Sequence, residues 1–277
     1  MAAMTAYRQI ARALVDARSH DRVLDAYPGA MPESLAEGYL IQEQALDCAA
    51  RAIGGWKIGR VRPADVAAFG AERLAGPIFT DTIVAASADA PVRMPVLQGF
   101  AAVEAEVLLR IAAPPPADCD TAAAPAFVDE VRFGIEVASS PFAGINLHGP
   151  AVTVSDFGNN YGLVIGPLIA DASVPGVLDQ PVALMIDGAA IGTGSVAKML
   201  DGPFGSLAFL ARLLALRGRQ LEPGQWISTG AITGVHPVAP GQHVRATFGD
   251  ALAVECAVVA TDRAEEEAGR AQWTPQT

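Results

Sequence analysis

The chain has 277 residues, 51% of them hydrophobic and only 18% charged, which is ample material for a core and excludes global disorder. A formal charge of -11 argues against nucleic acid or an anionic membrane as the main partner. Cys48, Cys119 and Cys256 are too few and too scattered for a disulfide framework or a zinc site, which fits a reducing, cytoplasmic setting.

The start, "MAAMTAYRQIARALVDARSHDR", is charged at helical intervals and has no uninterrupted apolar run, so neither a signal peptide nor a membrane span is expected. Residues 5 to about 52 read as two helices, with Ile10, Leu14 and Val15 and then Leu35, Tyr39, Leu40, Gln42, Ala45 and Leu46 at helical spacing. "YPGAMPES" divides them, and Ser34 or Pro32 opens the second.

After "IGG" at 53–55 the character changes to short β-like runs punctuated by Gly and Pro. They are "WKIGRV", "GPIFTDTIV", "VEAEVLLRI", "VRFGIEV", "GLVIGPLI", "PVALMIDGAAIGTG", "GQWISTG", "HVRATF" and "LAVECAVV". Asp187-Gly188 suits a hairpin turn. "PFGSLAFLARLLALRG", 203–218, opens with Pro, closes with Gly and is apolar on both faces, which predicts a helix packed deep against a sheet. "AAPPPADCDTAAAPA", 112–126, reads as a surface connector. Strands do not alternate regularly with helices, so the expected class is α+β rather than doubly wound. The expected organisation is a helical N-terminal region (1–54), a mainly β domain (55–262) and a polar tail (263–277).

"LQGFAAVEAEVLLRI", 97–111, carries the chemistry. On a strand, residues i and i+2 share a face. Glu104 and Glu106 therefore lie side by side, with about 6.5–7 Å between their Cα atoms. Buried like charges repel and are costly to desolvate, unless a hard divalent cation such as Mg²⁺ or Mn²⁺ binds them through oxygen. "VRFGIEV" offers a third carboxylate, Glu136, on a strand whose other face is Val131, Phe133, Ile135 and Val137. Without context, the same E-x-E pair also suits a half-exposed strand with solvated charges.

These segments resemble the 2-keto-4-pentenoate hydratase and 2-oxo-3-hexenedioate decarboxylase family, within the fumarylacetoacetate hydrolase superfamily. The resemblance runs from about residue 53 to 259. "GGWKIGR" is similar to the family's G-Y-K-I-G element, "VEAEVLL" to its E-A-E motif and "FGIEVASS" to the element with the third glutamate. The long run from "LDGPFGSLAFLARLLALRG" through "ISTGA" to "VRATF" is the most specific part.

The resemblance implies a fumarylacetoacetate hydrolase-like mixed β roll or sandwich. It implies Glu104, Glu106 and Glu136 as ligands for Mg²⁺ or Mn²⁺, and Lys57 near the substrate. It also implies Asp81 and Asp156 near the chemistry, and Thr229, Gly230 and Asn159 lining the site. Where relatives carry serines, this chain reads Asn159 and Asn160 in "DFGNNYG". Lys57 suits either a snorkelling side chain or an ammonium that binds a substrate carboxylate or relays a proton. Asp81 suits a turn as well as a catalytic role, and His148, in "NLHGP", suits a site loop or a solvated one. "GTGSVAK", 192–198, is glycine-rich but is not a phosphate-loop pattern.

The expected activity is a metal-dependent hydratase that adds water to a 2-hydroxy-2,4-dienoate, giving a 4-hydroxy-2-oxo acid in meta-cleavage aromatic catabolism. The alternatives are a decarboxylase of a 2-oxo dicarboxylic acid and a non-catalytic binding protein on the same fold. A C–C hydrolase is disfavoured, because "VSDFGNNYG" departs from the N-D-x-S-x-R segment of such relatives. The expected partners are the small carboxylate substrate and further copies of the chain, with no nucleic acid and no membrane.

Overall fold

The computed structural model describes residues 2–172, 174 and 176–261, so the predicted tail at 263–277 lies outside the described residues. The helices are α1 (Ala2–Ser19), α2 (Leu35–Ala49), α3 (Pro63–Phe69), α4 (Pro150–Ser155) and α5 (Gly202–Leu216). The strands are β1 (Ile53–Arg60), β2 (Arg73–Phe79), β3 (Ile83–Ala85), β4 (Val92–Val96), β5 (Phe100–Ile111), β6 (Val128–Ser140) and β7 (Asn160–Leu168). They continue as β8 (Pro181–Ile186), β9 (Ala189–Ser195), β10 (Trp226–Ser228), β11 (His236–Pro237), β12 (His243–Phe248) and β13 (Leu252–Ala260).

Two mixed sheets result. The larger runs β2-β1-β10-β5-β6-β7-β3, with β11 beside β5; the smaller runs β4-β13-β12-β8-β9. The α+β class expected from the sequence is what forms. The period-2 alternation explains the packing. Val103, Ala105, Val107 and Leu109 of β5 and Phe133, Ile135 and Val137 of β6 are buried in one core with Leu184, Phe248, Val254 and Cys256 of the smaller sheet. The same core takes Leu207, Leu210 and Leu214, all fully buried, so the helix predicted from "PFGSLAFLARLLALRG" forms and packs as expected.

The other face of the larger sheet is covered at one end by the N-terminal helices. Ile10, Ala11 and Leu14 of α1 and Ile41, Ala45 and Leu46 of α2 pack with Phe79, Phe142 and Phe157. Ser34 caps α2 by accepting from the Glu37 amide, as its position in the sequence suggested. Leu40, in contrast, is 43% exposed, and Ile41 takes the buried position. Gln42 fastens α2 to the domain by donating to the carbonyls of Ala75 and Val154. Asp187 and Gly188 both have positive φ, 51° and 80°, as a type I′ turn between β8 and β9 requires.

Candidate metal centre and its cavity

β5 and β6 pair antiparallel with Glu104 opposite Glu136 and Glu106 opposite Gly134. A glycine opposite Glu106 is a steric need, since a Cβ at 134 would lie 2.3 Å from the Leu108 side chain and 2.5 Å from the Val164 carbonyl oxygen. The register brings all three carboxylates together, with ligand atoms within 4.8 Å of one another, and all three residues are buried.

Neighbouring strands complete the cluster. Lys57 of β1 pairs in register with Ser228 of β10, which pairs with Leu108 of β5. The Lys57 Nζ lies 3.2 Å from Glu136 Oε2 and donates to Asn159 Oδ1 at 3.3 Å. Ser228 Oγ (2.5 Å) and the Gly230 amide (2.8 Å) both donate to Glu106 Oε2. Asn160 Nδ2 donates to Glu136 Oε1 at 2.9 Å.

The charges do not balance. Three carboxylates face one ammonium inside the protein, which leaves two negative charges, the complement of one divalent cation. Glu106 Oε1 is buried with no hydrogen-bond donor, and Glu136 Oε2 has only the Lys57 ion pair. Burial pushes the Glu104 carboxyl up to about 7; Lys57 pulls it down and Glu136 pushes it further up. Burial, then Glu136 and Glu104, hold the Glu106 carboxyl well above the ordinary range, against the donors Ser228 and Gly230. Burial alone would lower the Lys57 ammonium, but Glu136, Glu104 and Glu106 together raise its pKa above the lysine norm, so it stays charged. Buried oxygens that lack donors and carry excess negative charge fit a hard divalent ion.

A cavity of about 420 Å³ opens beside the cluster, lined by Lys57, Glu104 and Asn159 and by Arg60, Arg62 and Asn146. Asn159 is delivered by an unusual turn. Phe157, Gly158 and Asn159 all have left-handed φ, at 55°, 63° and 57°. The turn rests against Gly76, where a Cβ would stand 2.0 Å from the Phe157 carbonyl oxygen.

Not every expected residue joins the site. β2 ends at Phe79 and the chain leaves the sheet through a 3₁₀ turn, Thr80–Thr82. Asp81 therefore faces solvent, 68% exposed, and pairs with Arg51 at 2.5 Å rather than with the cluster. Asp156 is fully buried, but Arg18 Nε (2.5 Å) and Nη2 (3.0 Å) and Ser140 Oγ (2.6 Å) occupy its carboxylate. His148 is exposed, its ring stacked on Phe142 at 5.8 Å, and is absent from the cavity lining. The Thr229 hydroxyl donates to the Val107 carbonyl, and the Gly230 amide holds Glu106. Ser228, Arg60 and Asn146 are the residues that sequence reasoning missed, and Asn160, noted there only as a replacement for serine, holds Glu136. Arg60 stood in "GWKIGR" and Ser228 in "ISTG", but only the pairing of distant strands places Ser228 beside Glu106, and only the cavity lining places Arg60.

Arg18 is the other omission. It also donates to the carbonyls of Ser139 and Asn160, so α1 braces the segment that carries Asn160 against Glu136. Arg18→Met strands the buried Asp156 charge and is expected to cost about 3 kcal/mol of stability. Urea denaturation of the single variant and of Arg18→Met with Asp156→Asn checks this. A loss that the double variant does not recover assigns the effect to packing instead.

The description "Fumarylacetoacetate (FAA) hydrolase C-terminal" matches residues 71–268. The chain belongs to the fumarylacetoacetate hydrolase family. Within this family, it is 30% identical over 123 residues to a 4-oxalocrotonate decarboxylase of Pseudomonas putida, covering 44% of this chain and 46% of that protein. The curated relatives matched are spanned over 36–46% of their length. The fold is similar to that of 4-oxalocrotonate decarboxylase from Pseudomonas putida G7, solved with magnesium and adipate. The TM-score is 0.76 at 23% identity, over 91% of this chain and 97% of that one. It is also similar to fumarylpyruvate hydrolase from Pseudomonas aeruginosa, solved with Mn²⁺ and pyruvate, with a TM-score of 0.54 at 19% identity over 74% and 88% of the two chains. Among the described residues, no helix is long and apolar enough to cross a membrane.

Proposed function

We propose that this chain is a divalent-metal-dependent lyase whose reaction is decarboxylation of a short 2-oxo dicarboxylic acid of the 4-oxalocrotonate type. One observation carries this reading: the cavity is lined by cations, and its described lining holds no uncommitted acid/base group. Lys57, Arg60 and Arg62 line it, and the carboxylates among its described lining are Glu104, a metal ligand in this reading, and Asp65, ion-paired with Arg62 at 2.7 Å. Adding water to a carbon requires a base to activate the water and an acid to protonate carbon. Losing CO₂ from an allylic carboxylate requires no base, only an acceptor for the electrons left behind. The bond between the distal carboxylate and its carbon breaks, the pair delocalises through the enone to the 2-oxygen, and a proton there gives a 2-hydroxy-dienoate.

Glu104, Glu106 and Glu136 would hold Mg²⁺ or Mn²⁺, which when bound would supply Lewis-acid polarisation of a 2-oxo acid. Lys57, kept charged by its neighbours, adds a fixed positive charge where the oxyanion develops. Asn159 accepts from the ammonium and orients it. Arg60, which makes no ion pair among the described residues, is available to the second carboxylate. Leu74, Val61 and Val235 line the cavity as well and limit water. The 4-oxalocrotonate decarboxylases among the relatives support the same reading.

The hydratase expected from the sequence is the second reading, and Glu104 favours it. A carboxyl pushed up to about 7 beside a cavity is tuned for proton transfer near neutral pH. The test is to supply 2-oxo-3-hexenedioate and 2-hydroxypenta-2,4-dienoate separately, with Mg²⁺ or Mn²⁺. CO₂ release is followed for the first and ultraviolet loss of the diene for the second. CO₂ from the dicarboxylate, with the diene stable, is expected. Diene loss without CO₂ release makes the protein a hydratase. Arg60→Met is expected to raise KM for the dicarboxylate about tenfold with kcat nearly kept, since the lost charge-assisted bond contributes roughly 1.5–3 kcal/mol at most to binding. Initial-rate kinetics decide this, and an unchanged KM removes Arg60 from recognition.

A further inference from the structure

A second cavity, of about 170 Å³, shares Arg60 and Ala231 with the first, and the segment Thr229–Ile232 forms part of its wall. Arg60, Arg73 and Lys198 line it, and no acidic residue is among its described lining. Three cations around one small cavity, in a chain of net charge -11, is a local reversal of sign. Arg60 and Lys198 make no ion pair among the described residues. The Arg73 side chain is only 10% exposed; Asp201, itself 61% exposed, lies 3.5 Å away, and the guanidinium also donates to the Leu200 carbonyl. Burial lowers the Arg73 pKa; Asp201 and, more weakly, Glu72 restore it in part, while the neighbouring Arg60 cation opposes them.

The glycine-rich "GTGSVAK" supplies two of the lining residues, Ser195 and Lys198. The Ser195 Oγ accepts from the Ala197 amide, which leaves its O–H free to donate. The cavity is thus edged by two guanidinium groups, one ammonium and a hydroxyl donor.

The geometry points to a binding site for a small oxyanion, carboxylate or phosphate, in the cavity between Arg60, Arg73 and Lys198, separate from the carboxylate cluster. The size argues for a compact ligand. A space of about 170 Å³ accommodates one compact anionic group. Charge-assisted bonds from guanidinium and ammonium groups are the usual means of holding such groups. Gly230, whose amide holds Glu106, lines the smaller cavity next to the shared Ala231, so the two cavities meet at one loop.

The test is calorimetric titration of inorganic phosphate, and separately of succinate, into the Mg²⁺-loaded full chain. Wild type, Lys198→Met, Arg73→Met and Lys57→Met are compared. Lys198 is exposed, so its variant remains informative if Arg73→Met does not fold. The expected result is binding of at least one probe to wild type and to Lys57→Met, weakened about tenfold in Lys198→Met. Phosphate alone, or succinate alone, then names the ligand class. Absence of binding for both probes, unweakened binding in Lys198→Met, or binding lost in Lys57→Met but kept in Lys198→Met overturns the inference. The last of these puts the anion at the metal centre instead.

Discussion

Saturating Mn²⁺ is expected to raise the melting temperature of the wild-type chain, and to do so far less in Glu104→Gln, Glu106→Gln and Glu136→Gln. The buried cluster lacks two positive charges, and a ligand that binds only the folded state stabilises it by linkage. At a hundredfold excess over Kd this amounts to about 2.7 kcal/mol, or roughly 5–10 °C for a chain of this size. Metal-dependent activity should vanish with any of the three ligands. Calorimetric titration checks the binding directly, and equal, unweakened Mn²⁺ binding in all four proteins would sink the metal centre. A non-catalytic scaffold without a metal site would show no shift with Mg²⁺ or Mn²⁺.

The metal-free chain should also show an inverted pH dependence. An ordinary glutamate has a pKa of about 4.3, whereas the folded Glu104 carboxyl lies at about 7 and Glu106 is raised as well. Between those values the native state binds more protons than the unfolded one, so stability falls as pH rises. This contribution is complete below about 4.3 and is lost as pH passes through about 7. Urea midpoints at pH 5 and pH 8 in chelator read it out. The fall should be smaller in Glu104→Gln and Glu106→Gln, since each variant removes one charge that must otherwise be buried. With Mn²⁺ present the trend should reverse, because the metal competes with protons for the same oxygens. A wild-type fall no larger than that of the two variants contradicts the raised carboxyls.

Lys57→Met is expected to lower kcat about a thousandfold, the scale on which loss of one electrostatic group at a developing oxyanion is felt. The same variant should bind Mn²⁺ at least as tightly as wild type, since it removes a cation 3.2 Å from a ligand carboxylate. Lost turnover together with retained or tighter metal binding separates a role in the chemistry from collapse of the site. Without metal, the variant strands Glu136 as a buried charge and should be about 3–5 kcal/mol less stable. With metal, much of that difference should disappear. Near-normal steady-state kinetics in saturating Mn²⁺ would remove Lys57 from the mechanism.

Local pattern alone determined a good deal here. Period-2 alternation put Glu104 and Glu106 on one face of a strand, and Glu136 opposite an apolar face on another, because side-chain direction in a strand is a local property. Pro and Gly boundaries with an all-round apolar helix gave α5, for the same reason. Register and crossings are not local, and they decided the rest. Glu104 meets Glu136 because β5 and β6 pair in one register, and a slip of a single residue would turn the carboxylates onto opposite faces. Lys57 reaches them only because β10, from far along the chain, lies between β1 and β5. Asp81 and Asp156 show the limit most plainly. Both are aspartates in motif-like loops, yet one ends in solvent beside Arg51 and the other is sealed by Arg18, which lies 138 residues away in sequence. Nothing near either aspartate in the chain distinguishes them, because the cation that claims each comes from a different, distant element.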